Sequence, residues 1–117
     1  MVLRSMKDDK TIIKTIIEFI GYIEDDLSSC HDIEDYLENE TIQRACSLSL
    51  IQIGEYVKRL SPDFRRKYNE VEWAEIAKLR DYLTHRYLKI NSMEIWNDLT
   101  EDIPKLKEYL LEIISKL

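Results

Sequence analysis

Residues that make tight turns are scarce in this sequence, which has only two glycines and two prolines among 117 residues. A β-sandwich or β-barrel needs many such turns, so the scarcity argues against those architectures and favours long helices joined by few connections. Two cysteines, Cys30 and Cys46, are too few for a disulfide framework. We expect both thiols to stay reduced, as they would in a cytoplasm.

Long hydrophobic runs are also missing. The longest candidate, residues 11–23, is interrupted by Lys14 and Glu18 and falls short of the roughly 20 apolar residues that a membrane span requires. The first nine residues contain neither the apolar segment nor the small-residue cleavage site of a signal peptide. The sequence therefore predicts a cytoplasmic protein that does not interact with a membrane.

An overall excess of positive charge is absent too, since the formal net charge is −6. Apolar residues make up 44% and charged residues 34%, the balance of a folded chain, and the length suits one domain over residues 1–117. The surface as a whole does not attract nucleic acid. Residues 56–89, however, contain nine lysines and arginines against five acidic residues, a local excess of +4. That stretch is either an ordinary solvated face or a phosphate-binding surface.

Apolar residues recur at three- and four-residue steps along most of the chain, the period of an amphipathic helix. In the first helix the stripe consists of isoleucines at positions 12, 13, 16, 17, 20 and 23. The pattern predicts four main helices over residues 8–27, 40–60, 71–90 and 92–117, and short helices over 29–38 and 63–68. The expected fold is an all-α bundle of four main helices with short additional helices.

Individual residues refine these boundaries. Ser29 and Ser92 are predicted to cap the second and last helices, because a serine hydroxyl accepts from the free N–H groups of a helix start. Pro104 lies within the last helix and should kink or divide it near Asp102. Gly54 is unfavourable in a helix by roughly 1 kcal/mol relative to alanine. A close approach of two helices explains it, and a dimer contact is one place for that approach.

The densest group of chemically useful side chains is RDYLTHRY at residues 80–87. On an ideal helix with about 100° per residue, Arg80 and Tyr87 lie about 20° apart with Thr84 between them. All three border the apolar stripe of their helix. A guanidinium beside such a stripe is expensive to bury, so we expect Arg80 to have a partner or a cleft to point into.

Asp81 and His85 are four residues apart in the same segment. The spacing predicts that the Asp81 carboxylate orients the imidazole and fixes its tautomer. Arg80 and His85 are about 140° apart on an ideal helix. Their joint use requires Arg80 to reach around the helix, a distorted helix, or a second copy of the segment across a dimer interface.

Arginine, histidine and tyrosine without a metal cluster suit phosphoryl transfer. Arg80 can clamp a phosphate and stabilise the charge of its transition state. His85 can act as a general base or acid on a ribose hydroxyl or a leaving oxygen. The plainer interpretation makes His85 a surface residue and Arg80 the ion-pair partner of Asp81 or Glu75.

A second group, CHDIED at residues 30–35, contains side chains that bind metals. It lacks a second cysteine or histidine at the spacing of a zinc site. We therefore predict no bound metal and no cofactor. Cys46 falls on the apolar stripe of its helix and is predicted to pack in the core.

Several sequence segments together resemble the HepT-like branch of the HEPN domains. The core of the resemblance is an arginine and a polar residue followed by histidine and tyrosine, here Arg80, Asp81, His85 and Tyr87. The segments WAEI, IGE, KRLS and DIPKL, at positions 73, 53, 58 and 102, and Trp96 also fit. The resemblance runs from about residue 10 to the C-terminus, and the motif shows no departure from the family pattern.

The resemblance implies a homodimeric toxin of a two-gene toxin–antitoxin module. Members of the HepT-like family are metal-independent ribonucleases in which arginine and histidine of both subunits line a cleft at the dimer interface. Carried over, Arg80 and His85 are the catalytic pair acting on RNA, with Asp81 and Thr84 in support. Tyr87 is the residue that a partner nucleotidyltransferase, the antitoxin, adenylylates to silence the toxin. An adenylylated Tyr87 would place bulk and negative charge near Arg80.

A different class of function stays open for the same helices. The chain can instead be a non-catalytic partner or substrate-docking subunit of a nucleotidyltransferase, in which the motif helix binds nucleotide or builds the interface. A stable complex with the neighbouring gene product and no RNA cleavage by the free dimer would distinguish this alternative. A plain structural dimer would tolerate Arg80→Ala and Tyr87→Phe without effect.

Overall fold

Helices form all the regular structure in residues 6–86 and 89–117, the part of the chain that the computed structural model describes. In chain order they are α1 (Met6–Leu27), α2 (Ile33–Leu37), α3 (Glu40–Arg59), α4 (Pro62–Lys67), α5 (Trp73–His85), α6 (Ser92–Asn97), a π-helical segment (Asp98–Asp102) and α7 (Ile103–Lys116). The all-α prediction is confirmed. None of the described helices is long and apolar enough to cross a membrane.

The long helices pack side by side in the order α7, α1, α3, α5. The predicted isoleucine stripe of α1 fills the centre, because the side chains of Ile13, Ile16 and Ile20 are completely buried. From α3 the core receives Cys46, Ile53 and others. The bundle is open along one side, where a groove of about 690 Å³ is lined by residues of both α5 and α7.

A buried carboxylate joins the start of α1 to the turn between α3 and α4. Asp9 is fully buried, and its two oxygens accept hydrogen bonds from the Ser61 backbone N–H at 2.8 Å and the Ser61 hydroxyl at 2.7 Å. The same hydroxyl oxygen accepts from the Phe64 N–H at 3.2 Å and so caps α4. Full pairing makes this buried charge tolerable.

Both serine caps that the sequence suggests are wrong. Helix α2 begins after Asp32, whose carboxylate accepts from the Asp35 N–H at 3.0 Å, so Ser29 lies outside the helix. Helix α6 begins after Asn91, whose side-chain oxygen accepts from two backbone N–H groups. The Ser92 hydroxyl instead donates to the side-chain oxygen of Gln43 at 3.1 Å, a tertiary bond that the local sequence does not reveal.

Helix α5 also differs from its prediction, since it ends at His85 rather than at residue 90. The hydroxyl of Tyr82 accepts the Asn91 N–H at 2.9 Å and so holds the chain where it turns back toward α6. No glycine or proline marks this ending in the sequence. Tyr87, a predicted modification site, lies outside the described residues, so its angle to Arg80 stays a prediction.

The prediction for Pro104 is confirmed. The helix that begins at Ser92 is divided by the π-helical segment Asp98–Asp102, and Pro104 lies in the first turn of α7. Proline has no N–H to donate and is accommodated in a first turn, where that group has no partner in the helix.

Candidate active site at the end of α5

Gly54 allows α3 and α5 to approach each other closely. A Cβ added at Gly54 would overlap the Cβ of Arg80, lie 2.9 Å from its Cγ and lie 3.3 Å from the Ile76 carbonyl oxygen. The close approach that this mid-helix glycine predicts therefore occurs within the chain, between α3 and Arg80 of α5. A dimer contact was one expectation for this approach. Any larger residue would displace the stem of the arginine.

Arg80 has the partners that its position beside the apolar stripe requires. Its Nε forms an ion pair with Glu55 Oε1 of α3, and its Nη1 donates to Asp81 Oδ1 at 3.0 Å and to Thr84 Oγ1 at 3.5 Å. The side chain keeps 25% of its surface exposed. Asp81 was an expected partner. Glu75, the other expected partner, instead approaches Lys78 at 3.4 Å.

Asp81 is the centre of a small group of charges. Its Oδ1 accepts from Lys58 Nζ of α3 at 2.6 Å and from Arg80 Nη1. The hydrogen bond from Lys58, followed by that from Arg80, holds the pKa of the Asp81 carboxyl below its usual range. Because both cations bond to one carboxylate oxygen, they stand next to each other at the junction of α3 and α5.

His85 lies in the last turn of α5 with an exposed side chain. Its Nδ1 is 2.8 Å from the backbone carbonyl oxygen of Asp81. The prediction that the Asp81 carboxylate orients the ring is therefore wrong: the ring bonds to the backbone carbonyl of Asp81, while Oδ1 of the carboxylate accepts from Lys58 and Arg80. A carbonyl oxygen only accepts, so Nδ1 carries the proton in this contact. In that tautomer Nε2 is the acceptor nitrogen, and no hydrogen bond to it is formed within the described residues.

Thr84 lies between the two predicted catalytic residues. Its hydroxyl contacts the backbone carbonyls of Arg80 and Asp81 at 3.1 and 3.2 Å, and its oxygen is the acceptor for Arg80 Nη1. Arg80 points toward α3, whereas His85 faces solvent at the helix end. The Thr84 oxygen nevertheless lies 3.5 Å from both Arg80 Nη1 and His85 Nδ1, so this one hydroxyl links the two predicted catalytic residues within one chain.

Two residues of α3 also belong to this cluster: Glu55, which is part of the IGE segment in the family resemblance, and Lys58, which lies in the basic stretch. Neither was predicted to be catalytic. The sequence carries a weak signal for them: they follow Gly54 in the middle of a helix, and Lys58 comes three residues after Glu55. That spacing places both on neighbouring positions of α3. It does not tell which residue of another helix they meet.

The residues weighed as metal ligands form no such site in the part of the chain that is described. Within it, no group of three or more His, Cys, Asp or Glu side chains is arranged to hold a metal ion. Cys46 is fully buried, and burial raises the pKa of its thiol to about 12. Its predicted packing role is confirmed.

The groove between α5 and α7 has the opposite electrostatic character from the Arg80 cluster. Six carboxylates and two lysines line it together with apolar side chains; the acidic members are Glu70, Glu72, Glu75, Glu94, Asp98 and Asp102. Burial, and then the adjacent Asp102, raise the pKa of the Asp98 carboxyl to about 7. Negative charge is crowded here, so this groove does not suit a phosphate backbone.

The sequence has clear relatives. Residues 10–113 match the family described as ribonuclease HepT-like. The chain is 41% identical to a candidate RNase of Caldanaerobacter subterraneus subsp. tengcongensis, over 71% of this chain and 74% of that protein. It is 36% identical to a protein of Thermococcus cleftensis named as a probable ribonuclease HepT, over 89% of this chain and 91% of that protein.

A third relative is longer than this chain. A gamma-glutamylcyclotransferase and candidate RNase of Methanocaldococcus jannaschii is 35% identical over 95% of this chain, but the match spans 50% of that protein. No solved structure matches the chain.

The family match covers nearly the whole chain and includes the α3–α5 contact with Arg80 and His85. The match and the names of these relatives support ribonuclease activity for this chain. The resemblance drawn from the sequence segments is confirmed, and the chain belongs to the HepT-like ribonuclease family.

Proposed function

We propose that the protein is a metal-independent endoribonuclease that acts as a cytoplasmic homodimer, with Arg80 and His85 as its catalytic pair. Its substrate is RNA, held by those cations of the basic stretch at residues 56–89 that lie on the α3 side of α5. Within a two-gene toxin–antitoxin module it is the toxin. The observation that carries the proposal is the arrangement at the end of α5, where a guanidinium held by its partners and an imidazole bonded through Nδ1 to a backbone carbonyl lie on consecutive turns.

The proposed reaction is an intramolecular transphosphorylation. His85 Nε2 takes the proton of a ribose 2′-hydroxyl while that oxygen bonds to the adjacent phosphorus. The bond from phosphorus to the 5′-oxygen breaks, and the leaving oxygen takes a proton from solvent. Arg80 donates to the non-bridging oxygens and stabilises their growing negative charge. The products are a 2′,3′-cyclic phosphate end and a 5′-hydroxyl end.

The dimer belongs to the proposal because the family resemblance implies a cleft lined by arginine and histidine of both subunits. Arg80 is held against α3 and His85 is exposed at the end of α5, where a second copy can reach it. In the proposed dimer, the cleft between subunits receives both groups from each copy. The acidic groove on the α7 side of α5 helps to direct RNA away from that side.

The experiment that tests the nuclease uses purified wild type, Arg80→Ala and His85→Ala with a defined RNA in EDTA. We expect wild type to produce cyclic phosphate ends and His85→Ala to lose at least about 100-fold in rate, the usual contribution of general acid–base catalysis. The matched controls are His31→Ala, which removes the other histidine of the chain, and Arg44→Ala, which removes an exposed arginine paired with Glu40. Both controls should cleave like wild type.

Two results would contradict the assignment. RNA cleavage by His85→Ala at the wild-type rate would show that His85 is not catalytic. Loss of cleavage in EDTA would contradict the metal-independent mechanism. If wild type binds a nucleotidyltransferase stably but never cleaves RNA, the protein is the non-catalytic docking subunit instead. The oligomeric state is measured on the same samples by light scattering.

Regulation by a partner is the second part of the proposal. We propose that the nucleotidyltransferase encoded by the neighbouring gene adenylylates Tyr87, two residues after His85 in the sequence. AMP on this tyrosine adds bulk and negative charge that compete with RNA phosphates. Co-expression with the partner should produce a protein carrying AMP that no longer arrests growth. Tyr87→Phe should stay unmodified and toxic, and an AMP-bearing Tyr87→Phe protein would contradict this site.

A further inference from the structure

We infer that Glu55 is a positioning residue for Arg80: it anchors the guanidinium to α3 so that its Nη2 donors are presented to the RNA phosphate. This inference rests on the proposed ribonuclease function and adds a residue to it. Glu55 belongs to a different helix from the catalytic pair and contacts the reaction only through Arg80.

The pattern of contacts around the guanidinium supports a holding role. An arginine has five N–H donors in a rigid plane. Glu55 forms an ion pair with Nε, a buried atom that donates no hydrogen bond within the described residues, while Asp81 and Thr84 accept hydrogen bonds from Nη1. Among the described residues, no hydrogen bond engages Nη2. Three partners from two helices therefore hold the guanidinium and leave the Nη2 donors for a ligand.

Glu55 differs from the other two partners because it alone comes from outside α5. Asp81 and Thr84 move with Arg80, so they do not set its position relative to α3. The neighbouring Gly54 brings the two backbones close enough for the short Glu55–Arg80 contact. These consecutive residues therefore act on different parts of Arg80. Gly54 leaves space for its Cβ and Cγ, and Glu55 holds its guanidinium.

The partial exposure of the Glu55–Arg80 ion pair means that its loss should affect the position of Arg80 more than the stability of the fold. The Glu55 side chain is 32% exposed and the Arg80 side chain 25%, at the edge of the bundle. Ion pairs that keep contact with water contribute little to folding stability. Loss of Glu55 should therefore lower turnover more than it lowers the melting temperature. A misplaced catalytic group lowers rates by up to about 100-fold.

The test compares Glu55→Ala and Glu55→Gln with wild type in kcat, KM, thermal unfolding and the NMR signal of the Arg80 Nε–H. That signal is assigned by its absence in Arg80→Lys. The matched control is Glu112→Ala, which removes a glutamate paired with Lys116 on α7. We expect kcat to fall about 10- to 100-fold in Glu55→Ala with a smaller change in KM.

Glu55→Gln keeps the size and polarity of the side chain beside Nε but removes its charge, and it should recover part of the rate. Because Nε is buried next to Glu55, its N–H should exchange slowly with water in wild type, fast in Glu55→Ala and at an intermediate rate in Glu55→Gln. The control variant should match wild type in both rate and exchange.

The outcomes distinguish this inference from the function on which it rests. An active wild type with unchanged kcat in Glu55→Ala overturns the positioning role and leaves the ribonuclease intact. An inactive wild type whose Arg80 Nε–H is still protected by Glu55 overturns the ribonuclease but supports the anchor. An unprotected Nε–H in wild type overturns the anchor whether or not RNA is cut.

Discussion

Asp81 and Asp98 lie near the two sides of α5, and their surroundings shift their acidity in opposite directions. Asp81 accepts hydrogen bonds from two cations, which keep its pKa below the usual range. Asp98 is partly buried beside Asp102 and Glu94, and its pKa rises to about 7. One side of the helix therefore holds cations with a fixed counter-charge, while the other concentrates negative charge.

The difference shows why the total charge of −6 is a poor guide to this protein. The α3 side of α5 presents Arg80 and Lys58 held by carboxylates, an arrangement suited to a phosphate that competes for those cations. The α7 side repels the same ligand. A single helix thus separates a surface that accepts RNA from one that rejects it, and the following substitutions test that separation.

The largest effect should come from Gly54→Ala, which disrupts the α3 side at its base. The added methyl group overlaps Arg80, so we expect a loss of about 1–3 kcal/mol in the free energy of unfolding and at least about a tenfold loss of cleavage. Gly21→Ala is the matched control, since a Cβ there meets nothing within 4 Å. It should gain up to about 1 kcal/mol from helix propensity. Equal behaviour of both variants in urea unfolding would contradict the close approach.

Lys58→Ala should have the next largest effect, because it removes one cation from the α3 side. The matched variant Lys78→Ala removes a lysine from the acidic groove, where it pairs with Glu75. We expect Lys58→Ala to raise KM several-fold and to reduce the slope of log affinity against log salt by about 0.7, the value for one contact to single-stranded nucleic acid. A larger loss in Lys78→Ala would reverse the assignment of the two sides.

Asp98→Asn tests the acidic side through pH. The folded pKa of about 7 exceeds the unfolded value of about 3.9, so the folded state binds more protons between them, and this group lowers stability as pH rises from about 4 to 7. The variant should match wild type near pH 4 and exceed it by on the order of 1 kcal/mol at pH 8, a value discounted for partial solvent screening. Urea unfolding at both pH values measures this.

Asp81→Asn should show the opposite pH dependence, which makes it the control for Asp98→Asn. Its folded pKa lies below the unfolded value, so its contribution to stability is present above the unfolded pKa and disappears as pH falls through the folded pKa. The variant should therefore be less stable than wild type at neutral pH and converge with it in acid. Parallel profiles for the two variants would contradict the contrast between the two sides.

The smallest expected effect concerns Tyr82, which lines the acidic groove and ties down the chain after α5. Tyr82→Phe removes the hydroxyl that accepts the Asn91 N–H, and we expect a loss of about 0.5–1.5 kcal/mol. Tyr109→Phe, on the α7 side of the same groove, is the control with a 40% exposed ring and should be neutral. Thermal unfolding distinguishes the two variants. Equal melting temperatures would show that the hydrogen bond between Asn91 and the Tyr82 hydroxyl does not stabilise the fold.

Much of the architecture follows from local sequence. The isoleucine period predicted α1 and its buried face, and the predicted positions of α3 and α4 agree with the structure within one residue at each end. The boundaries that failed involve side chains that bond across the fold. Ser92 was predicted to cap a helix but instead donates a hydrogen bond to Gln43. The end of α5 depends on the hydrogen bond from the Asn91 N–H to the Tyr82 hydroxyl. The helix propensity of a local segment does not indicate which distant residues its side chains will contact.

The candidate site divides in the same way. The sequence alone determined that the chain is helical, that a basic stretch interrupts an acidic whole, and that Arg80 and His85 share a helix with family-like spacing. Only the tertiary structure decided that Glu55 and Lys58 join them, and that a carbonyl rather than a carboxylate orients His85. The reason is physical: spacing fixes angles around one helix, whereas charge pairing depends on which two helices meet and how closely, here at Gly54.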